Sequence, residues 1–301
     1  VVCSLQFVED YANRKIKVHE KTLIEKEKKQ MALQAKWGAM VKPLLLGFPK
    51  KNATWEDLLK NNITTSSFFF EKQFESETHT FWAVTDAEQV AAFQTYFSTD
   101  IPESYVADGH HRLASGRLLH QTTQDTKYNN ILTAFFPMDE LLILSFNRVL
   151  IEIDTSDFLE KLNVLAHIEP KKKVFTPKQK HEFCLIFNDN FYKITWKETL
   201  IETFKPEKVA LDVDILNEKI LKEIFHVQDI RNDQRVLYVE GNRGKKGVLD
   251  VLSENKNALG FILYPVSAED LMTVVDSGGI MPPKSTWFEP RMKSGLLVQQ
   301  W

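Results

Sequence analysis

Five consecutive positions, Asp108 to Arg112, carry a carboxylate, a glycine, two imidazoles and a guanidinium within the stretch YVADGHHRLASGRLL. The residues before them, from Tyr105, predict a buried strand, and a helix-forming run follows to Leu119. The N–H groups of a helix's first turn have no intrahelical acceptor and lie at the positive end of its dipole, so they bind anions. The pattern therefore predicts a strand–turn–helix unit that is suited to binding phosphate.

Each residue type of this turn has a chemical role in that interpretation. Gly109 permits a tight turn and the close approach of a ligand to the backbone. Arg112 supplies a bidentate phosphate donor, and His110 and His111 can donate or accept protons near neutral pH. In the structural alternative, Asp108 is only a helix N-cap, one histidine belongs to the core and Arg112 forms a surface ion pair.

A second candidate segment is KVHEKT, which contains His19 and Glu20. Residues 19–40 are rich in helix formers and predict a long, mostly solvent-facing helix whose first turn carries both side chains. From there, both could reach a binding site. The alternative is that Glu20 only stabilises the start of that helix through its negative charge.

A third candidate segment is GGIMPPKSTWFEPR, residues 278–291, whose paired glycines and paired prolines predict an ordered, irregular loop. The loop presents Lys284, Ser285 and Thr286 together, and a cation with two hydroxyls suits a phosphate or a carboxylate. Long ordered loops are often functional. The structural alternative is a closing segment whose two aromatic side chains fill the core.

Predicted helices and strands must position these three segments. Their mixture predicts an α+β fold with mixed sheets and flanking helices. Hairpins are predicted within residues 67–85 and 183–196, and helical patterns lie between them. We place an approximate boundary at residue 154. It separates an N-terminal α+β part with the DGHHR turn, residues 1–154, from a second α+β part that ends in the PPKST loop, residues 155–301.

Composition limits the class of protein. The chain has 301 residues, of which 43% are hydrophobic and 26% charged, as in globular proteins of one or two domains. The net charge of -3 argues against nucleic acid as a partner. Cys3 and Cys184 lack metal-ligand spacing and are expected to be free thiols in a reducing compartment. The longest apolar run, residues 140–153, is too short to span a bilayer. We therefore expect a cytoplasmic protein without a membrane partner.

Three motifs, KVHEKT, YVADGHHR and MPPKSTWFEPRMKSGL, together resemble the bacterial family known as domain of unknown function 1015. They occur in the family's order, and the resemblance spans essentially the whole chain. The family is similar in its nucleotide-site turn to the ParB and sulfiredoxin group, which includes free-serine kinases. The resemblance implies a ParB/sulfiredoxin-like turn and phosphoryl transfer to a small hydroxylated metabolite, with free serine as the first candidate.

Carried over by position, the matching residues are 107–112 in the turn, 283–286 in the closing loop, and His19, Glu20 and Thr22 in the early motif. Two features depart from the family's pattern. Family members usually begin with a segment that contains a Pro-Tyr-Asp-like motif, and nothing similar precedes Val1, so we expect that segment to be missing. A later His-Arg pair of the family is replaced here by Asn147-Arg148.

The first hypothesis is a nucleotide-dependent kinase that uses ATP or ADP as phosphoryl donor and Mg²⁺ as cofactor. The carboxylates would accept the substrate's hydroxyl proton or hold magnesium, and the two histidines of the turn would stabilise charge on the transferred group. The predicted catalytic residues are Asp108, Glu20, His110 and His111. The predicted residues that bind nucleotide or substrate are Gly109, Arg112, His19, Lys284, Ser285 and Thr286.

Two alternatives stay open. His19, Glu20, His110 and His111 are residue types that bind zinc or manganese, which would suit a metal-dependent hydrolase, although their spacing matches no standard metal motif. A non-catalytic ParB-like nucleotide-binding module would use the same turn without transferring a phosphoryl group.

Overall fold

Apolar stretches separated by turn residues form interleaved strands and helices in the computed structural model, which describes residues 1–50, 52–65, 68–74, 77–204 and 209–301. The helices are α1 (Ile24–Trp37), α2 (Thr54–Thr65), α3 (Ala87–Thr99), α4 (His110–Thr123), α5 (Phe158–Leu165), α6 (Glu198–Glu202), α7 (Asp212–Ile215), α8 (Gly244–Glu254) and α9 (Ala268–Asp276). Helix α7 continues directly as a π-helix over Leu216–Ile224.

The strands run in both the N-terminal and the C-terminal half of the chain. They are β1 (Val2–Phe7), β2 (Ile16–Lys17), β3 (Ala39–Met40), β4 (Leu44–Phe48), β5 (Phe68–Phe74), β6 (Glu77–Trp82), β7 (Ser104–Asp108), β8 (Asn130–Pro137), β9 (Leu142–Ser145), β10 (Asn147–Leu150), β11 (Ala166–Lys171), β12 (Glu182–Phe187), β13 (Asn190–Trp196), β14 (Val236–Val239), β15 (Leu259–Leu263), β16 (Thr286–Glu289) and β17 (Gln299–Gln300). Helices and strands of both halves are interspersed, which confirms the predicted α+β class.

The first sheet contains five strands in the order β1-β8-β4-β7-β2. It is mixed: β4 runs parallel to β8 and β2 to β7, whereas the other two pairs are antiparallel. Its central strand β4, with the sequence LLLGF, is buried along its whole length. Strand β7 ends at Asp108 and α4 begins at His110, so the sheet holds the DGHHR turn beside its central strand.

Helix α4 is fixed against this sheet by close packing. Leu113 belongs to a buried cluster that also contains Leu46 of β4 and Val106 of β7. A Cβ atom at Gly116 would lie 3.1 Å from Ile131 of β8, so the helix approaches that strand closely. Because tightly packed interiors resist displacement, the first turn of α4 has a defined position relative to β7.

The second sheet contains six strands in the order β11-β13-β12-β15-β10-β14, and every neighbouring pair is antiparallel. Alternate residues of β12 belong to different buried clusters, with Phe183 and Leu185 in one and Cys184 and Ile186 in another. Both faces of the sheet are therefore covered. Strand β10 lies on the N-terminal side of the predicted boundary at residue 154, but it pairs with strands from the C-terminal side. The division of the chain at residue 154 stays a prediction.

Both predicted hairpins form. Strands β5 and β6 pair antiparallel, as do β12 and β13. Asn188 and Asp189, which connect the second pair, have φ angles of 48° and 60°, the left-handed values that a two-residue type I′ turn requires. Ser67, the predicted start of the first hairpin, lies outside the described residues.

The C-terminal segment contacts the N-terminal half of the chain and forms two small two-stranded sheets with it. Strand β16 pairs with β9, and β17 pairs with β3. Lys17 and Tyr105 of the first sheet both donate hydrogen bonds of 2.8 Å to Asp276 at the end of α9. One buried apolar cluster includes Leu45 of the first sheet and Leu271 of α9. These contacts hold the residue 278–291 loop against the N-terminal half.

The first helix begins later than its composition predicts. Helix α1 starts at Ile24, and Leu23 at its N-cap position has extended backbone without a side-chain cap, so the prediction of a helix from His19 is wrong. The main-chain carbonyl of His19 instead accepts a 2.8 Å hydrogen bond from the amide of Met281, which an extended segment allows. Among the described residues, no helix combines the length and apolar character that crossing a membrane requires.

Candidate active site

The turn between β7 and α4 depends on Gly109. This residue is the N-cap of α4 and has φ 109° and ψ 24°, which an L side chain rarely adopts. A Cβ atom here would lie 2.6 Å from Nη2 of Arg112 and 2.9 Å from Cδ2 of Leu44, so only glycine fits. The prediction of Asp108 as N-cap is wrong, since its carboxylate is drawn to Arg112, four residues further along the chain.

Asp108 is the centre of a charge cluster. Its Oδ2 lies 2.8 Å from Nη2 of Arg112 and 3.2 Å from Nζ of Lys42, and its Oδ1 lies 3.2 Å from Nη2 of Arg291. We call these four residues the Asp108 cluster. Burial alone would raise the pKa of Asp108, but the neighbouring cations, with Arg112 foremost, hold it well below its ordinary range. The cluster is net positive, and its carboxylate is a poor proton acceptor.

Replacing Asp108 by asparagine should lower the free energy of unfolding at pH 7 by on the order of 3 kcal/mol, because three cations lose their shared carboxylate. The lowered pKa means that this contribution is complete above about pH 4, the ordinary carboxyl value, and is lost as the pH falls further. Denaturant unfolding at several pH values measures it. Asp57→Asn on the exposed side of α2 is the control, and equal stability of both variants at pH 7 would contradict the prediction.

The buried ring of His19 contacts the half-buried ring of His110. Their rings meet edge to face, with centroids 4.4 Å apart and planes at 85°. His19 is only 3% exposed, and its Nε2 lies 3.1 Å from Oγ1 of Thr286. Burial lowers the pKa of His19 to about 4, and burial followed by the charge of His19 lowers the pKa of His110 well below its ordinary value. Both rings are neutral at pH 7.

The adjacent His111 points to different surroundings. Burial lowers its pKa, and the next largest influence is Lys26 of α1, followed by Glu27 of the same helix. Lys284 and Arg231 act on it as well. The two imidazoles of the turn therefore diverge, with His110 against His19 and His111 facing the start of α1.

A cavity of about 230 Å³ lies at the N-terminal end of α4. Its lining includes Tyr11, Glu20, Thr22, His110, Leu113 and Ile280. Burial raises the pKa of Glu20 in spite of the nearby charges of Lys284, Arg231 and Lys26. In the part of the chain that the structure describes, Glu20 has no cation within ion-pair distance. Glu20 is therefore the carboxylate of this region that most readily accepts a proton.

Lys284 is held by a buried arginine. The residue has φ 56°, and its carbonyl accepts a 3.3 Å hydrogen bond from Nη2 of Arg148. Its Nζ lies 5.0 Å from the ring centroid of Phe146. Arg148 is fully buried and also donates to the Phe146 carbonyl at 3.0 Å. The guanidinium of the Asn147-Arg148 pair thus fixes the backbone of the PPKST loop.

The two hydroxyls of the loop make contacts within the protein. Ser285 is 6% exposed and donates a 2.7 Å hydrogen bond to the carbonyl of Pro282. Thr286 begins β16 and contacts the ring of His19. The structure therefore brings Thr286 to the His19–His110 pair, whereas the Ser285 hydroxyl stabilises its own turn.

Sequence reasoning missed four cations: Lys42, Arg148, Arg231 and Arg291. Arg291 closes the GGIMPPKSTWFEPR stretch, and its guanidinium stacks 3.8 Å above the ring of Trp287 on its way to Asp108. The aromatic residue four positions before it is the signal that could have identified it. Lys42 and Arg231 stand in stretches without any such signal.

The described part of the chain can be compared with the donor sets that bind metal ions in proteins. Among the described residues, no group of three or more His, Cys, Asp or Glu side chains could hold a metal ion. Asp108 faces three cations, and Glu20 stands apart from any second carboxylate ligand. The metal-dependent hydrolase alternative therefore lacks a ligand cluster in this part of the chain, and the donor set does not fit a magnesium ion held by the protein alone.

Three solved structures match this chain over almost its whole length, and the first, with a TM-score above 0.5, has a similar fold. SbnI from Staphylococcus aureus with a C-terminal truncation has a TM-score of 0.52 at 12% identity, covering 98% of this chain and 86% of that one. A free serine kinase in complex with AMP matches with a TM-score of 0.48 at 14% identity, covering 98% and 91%. A conserved hypothetical protein from Pyrococcus furiosus matches at 0.46 and 14%, covering 98% and 95%.

The family follows from the sequence. The family model described as Protein of unknown function (DUF1015) matches residues 1–214, and the chain belongs to that family. The resemblance carried by the KVHEKT and ADGHHR motifs is thereby confirmed. Comparison with curated proteins gives no match.

Proposed function

We propose that the protein is a nucleotide-dependent kinase that phosphorylates a small hydroxylated metabolite, with free serine as the first candidate. One observation carries the proposal. Glu20, a carboxylate with a raised pKa, lines the same cavity as His110. His110 stands two positions after Asp108, the centre of the net-positive Asp108 cluster. A proton acceptor and a phosphate-binding turn on neighbouring surfaces are the two parts that phosphoryl transfer requires.

The nucleotide phosphates are assigned to the start of α4. No side chain from the described residues caps this terminus, so the first-turn amides of residues 110–112 are available as anion donors. The cations of the Asp108 cluster lie beside them. The cavity itself, at about 230 Å³, is smaller than the roughly 300–1,000 Å³ of pockets that hold drug-sized ligands, so it suits the metabolite rather than the nucleotide.

In the proposed reaction, the bond between the terminal phosphorus and its bridging oxygen breaks, and a new bond forms between that phosphorus and the acceptor's hydroxyl oxygen. The hydroxyl proton passes to Glu20, and the nucleotide leaves with one phosphate fewer. The neutral His110 donates a hydrogen bond to the transferred group. Magnesium enters as the complex with the nucleotide phosphates, which form the main part of most Mg²⁺ sites in kinases.

Phosphorus NMR tests the proposal. Protein with Mg²⁺, free serine and either ATP or ADP should give a phosphoserine resonance in at least one mixture, and the active mixture identifies the donor. The resonance should be absent without protein. The kinase assignment would be overturned if the nucleotide resonances broaden but no phosphoserine forms, and no phosphorylated product forms with other hydroxylated acceptors. The ParB-like binding module would then remain.

A further inference from the structure

Arg231 carries a guanidinium that faces the rim of the cavity. Its Nη2 donates a 3.3 Å hydrogen bond to the carbonyl of Lys21, a cavity-lining residue next to Glu20. Across the described residues, no carboxylate lies within ion-pair distance of this guanidinium. The two nearest acids along the chain bind other groups: Asp229 accepts from the Arg231 main-chain N–H and the Asn232 side-chain amide. Asp233 accepts from the guanidinium of Arg235. Most of the donors of Arg231 are therefore free to bind an anion.

A chain of buried contacts positions Arg231 together with Lys284. Strands β10 and β14 place Arg148 directly opposite Tyr238, with the guanidinium carbon 5.4 Å from the ring centroid. The hydroxyl of Tyr238 donates a 2.8 Å hydrogen bond to the carbonyl of Ile230, the residue before Arg231. The other side of Arg148 holds the carbonyl of Lys284. One buried arginine thus fixes the backbone at both cations.

The burial of Arg148 indicates that this arrangement is maintained at a cost. Its side chain is fully buried, and among the described residues no carboxylate lies within ion-pair distance of it. A buried charge without a directly paired opposite charge is unfavourable by several kcal/mol. Burial lowers the pKa of Arg148 to about 10 and has a larger effect than the charge of Asp214, which raises it. Arg148 binds the carbonyl of Lys284 directly, and it contacts Tyr238, which binds the carbonyl of the residue before Arg231.

We infer that Arg231 and Lys284 form an acid subsite that binds the carboxylate or phosphate of the acceptor while its hydroxyl contacts Glu20. The substrate class is then small hydroxy acids, and neutral polyols are rejected. This inference rests on the proposed function. Arg231 contacts the backbone of Lys21 beside Glu20, and both cations are near enough to Glu20 and His111 to act on their pKa values. They also offset the repulsion between Glu20 and an anionic acceptor.

Equilibrium binding with two matched pairs of ligands tests the subsite. L-serine is compared with serinol, which has a hydroxyl in place of the carboxylate, and glycerol 3-phosphate is compared with glycerol. Calorimetric titration is done with and without AMP on the wild type, Arg231→Gln and Arg231→Lys. The matched control is Arg243→Gln, since Arg243 is an exposed arginine that precedes α8 and pairs with Asp250 of that helix.

The wild type should bind at least one acid about tenfold or more tightly than its neutral partner, because charge-assisted hydrogen bonds are lost with the acid group. Arg231→Gln should remove that preference without changing the affinity for the neutral ligand, and Arg231→Lys should keep part of it. The pair that shows the effect identifies carboxylate or phosphate. Equal loss for acid and neutral ligands, an unselective wild type, or no binding of either acid would overturn the subsite.

The two proposals fail in different ways. If acids bind through Arg231 but no phosphorylated product forms, the kinase assignment fails and the subsite stands. If phosphoserine forms and Arg231→Gln leaves both serine affinity and turnover unchanged, the kinase assignment stands and the subsite fails.

Discussion

Replacing Glu20 by glutamine should lower the rate of phosphoryl transfer by about 10²- to 10⁴-fold, the contribution of a positioned general base. Nucleotide affinity should change little, since the cavity that Glu20 lines is separate from the Asp108 cluster. Because burial raises the pKa of Glu20, activity should fall on the acidic side at a higher pH than for an ordinary glutamate. Steady-state kinetics against pH measures both effects.

The control for this prediction is Glu25→Gln in the first turn of α1, a glutamate that does not line the cavity. It should retain the rate and the pH profile of the wild type. A Glu20→Gln protein that transfers phosphate at an undiminished rate would remove Glu20 from the role of base. A rate that falls in parallel with nucleotide affinity would indicate a binding role instead.

The His19–His110 pair should make the stability of the fold sensitive to mild acid. The pKa of His19 is lowered to about 4, whereas an unfolded histidine titrates near 6.5, so the unfolded chain binds the proton between these values. The unfolding free energy is therefore fully retained above about pH 6.5 and decreases as the pH falls toward 4. The loss from His19 alone is about 3 kcal/mol, and His110 adds to it in the same direction.

Denaturant titrations from pH 7 to pH 4.5 measure this slope. His19→Asn removes the titrating group, so its stability should depend less steeply on pH than that of the wild type, whatever its stability at pH 7. His167→Asn, at an exposed position of β11, should keep the wild-type slope. Equal slopes for the wild type and His19→Asn would show that His19 titrates as an ordinary histidine.

Local sequence patterns predicted the parts of the site that are contiguous in the chain. The DGHHR turn joins a strand to a helix because Gly109 permits the turn and apolar residues on either side seek burial. Glu20 and His110 were identified from residue type and line one cavity. The α+β class followed from the mixture of hairpins and helices. These features depend on interactions between residues near each other in sequence.

Contacts between distant residues could not be predicted in this way. Arg291 reaches Asp108 across 183 positions, and no local pattern encodes that pairing. Asp108 could have capped helix α4 or formed ion pairs. It forms ion pairs, because Arg112 and the distant cations Lys42 and Arg291 lie beside its carboxylate. The late start of α1 has a similar cause, since the backbone of His19 is engaged by Met281.

The order in which the chain is synthesised gives a further meaning to the closing segment. A ribosome completes the DGHHR turn long before it adds Lys284 and Arg291, and β16 can pair with β9 only after that. A chain that stops before residue 280 contains the DGHHR turn but not these two cations. In such a truncated translation product, Asp108 lacks its contact with Arg291.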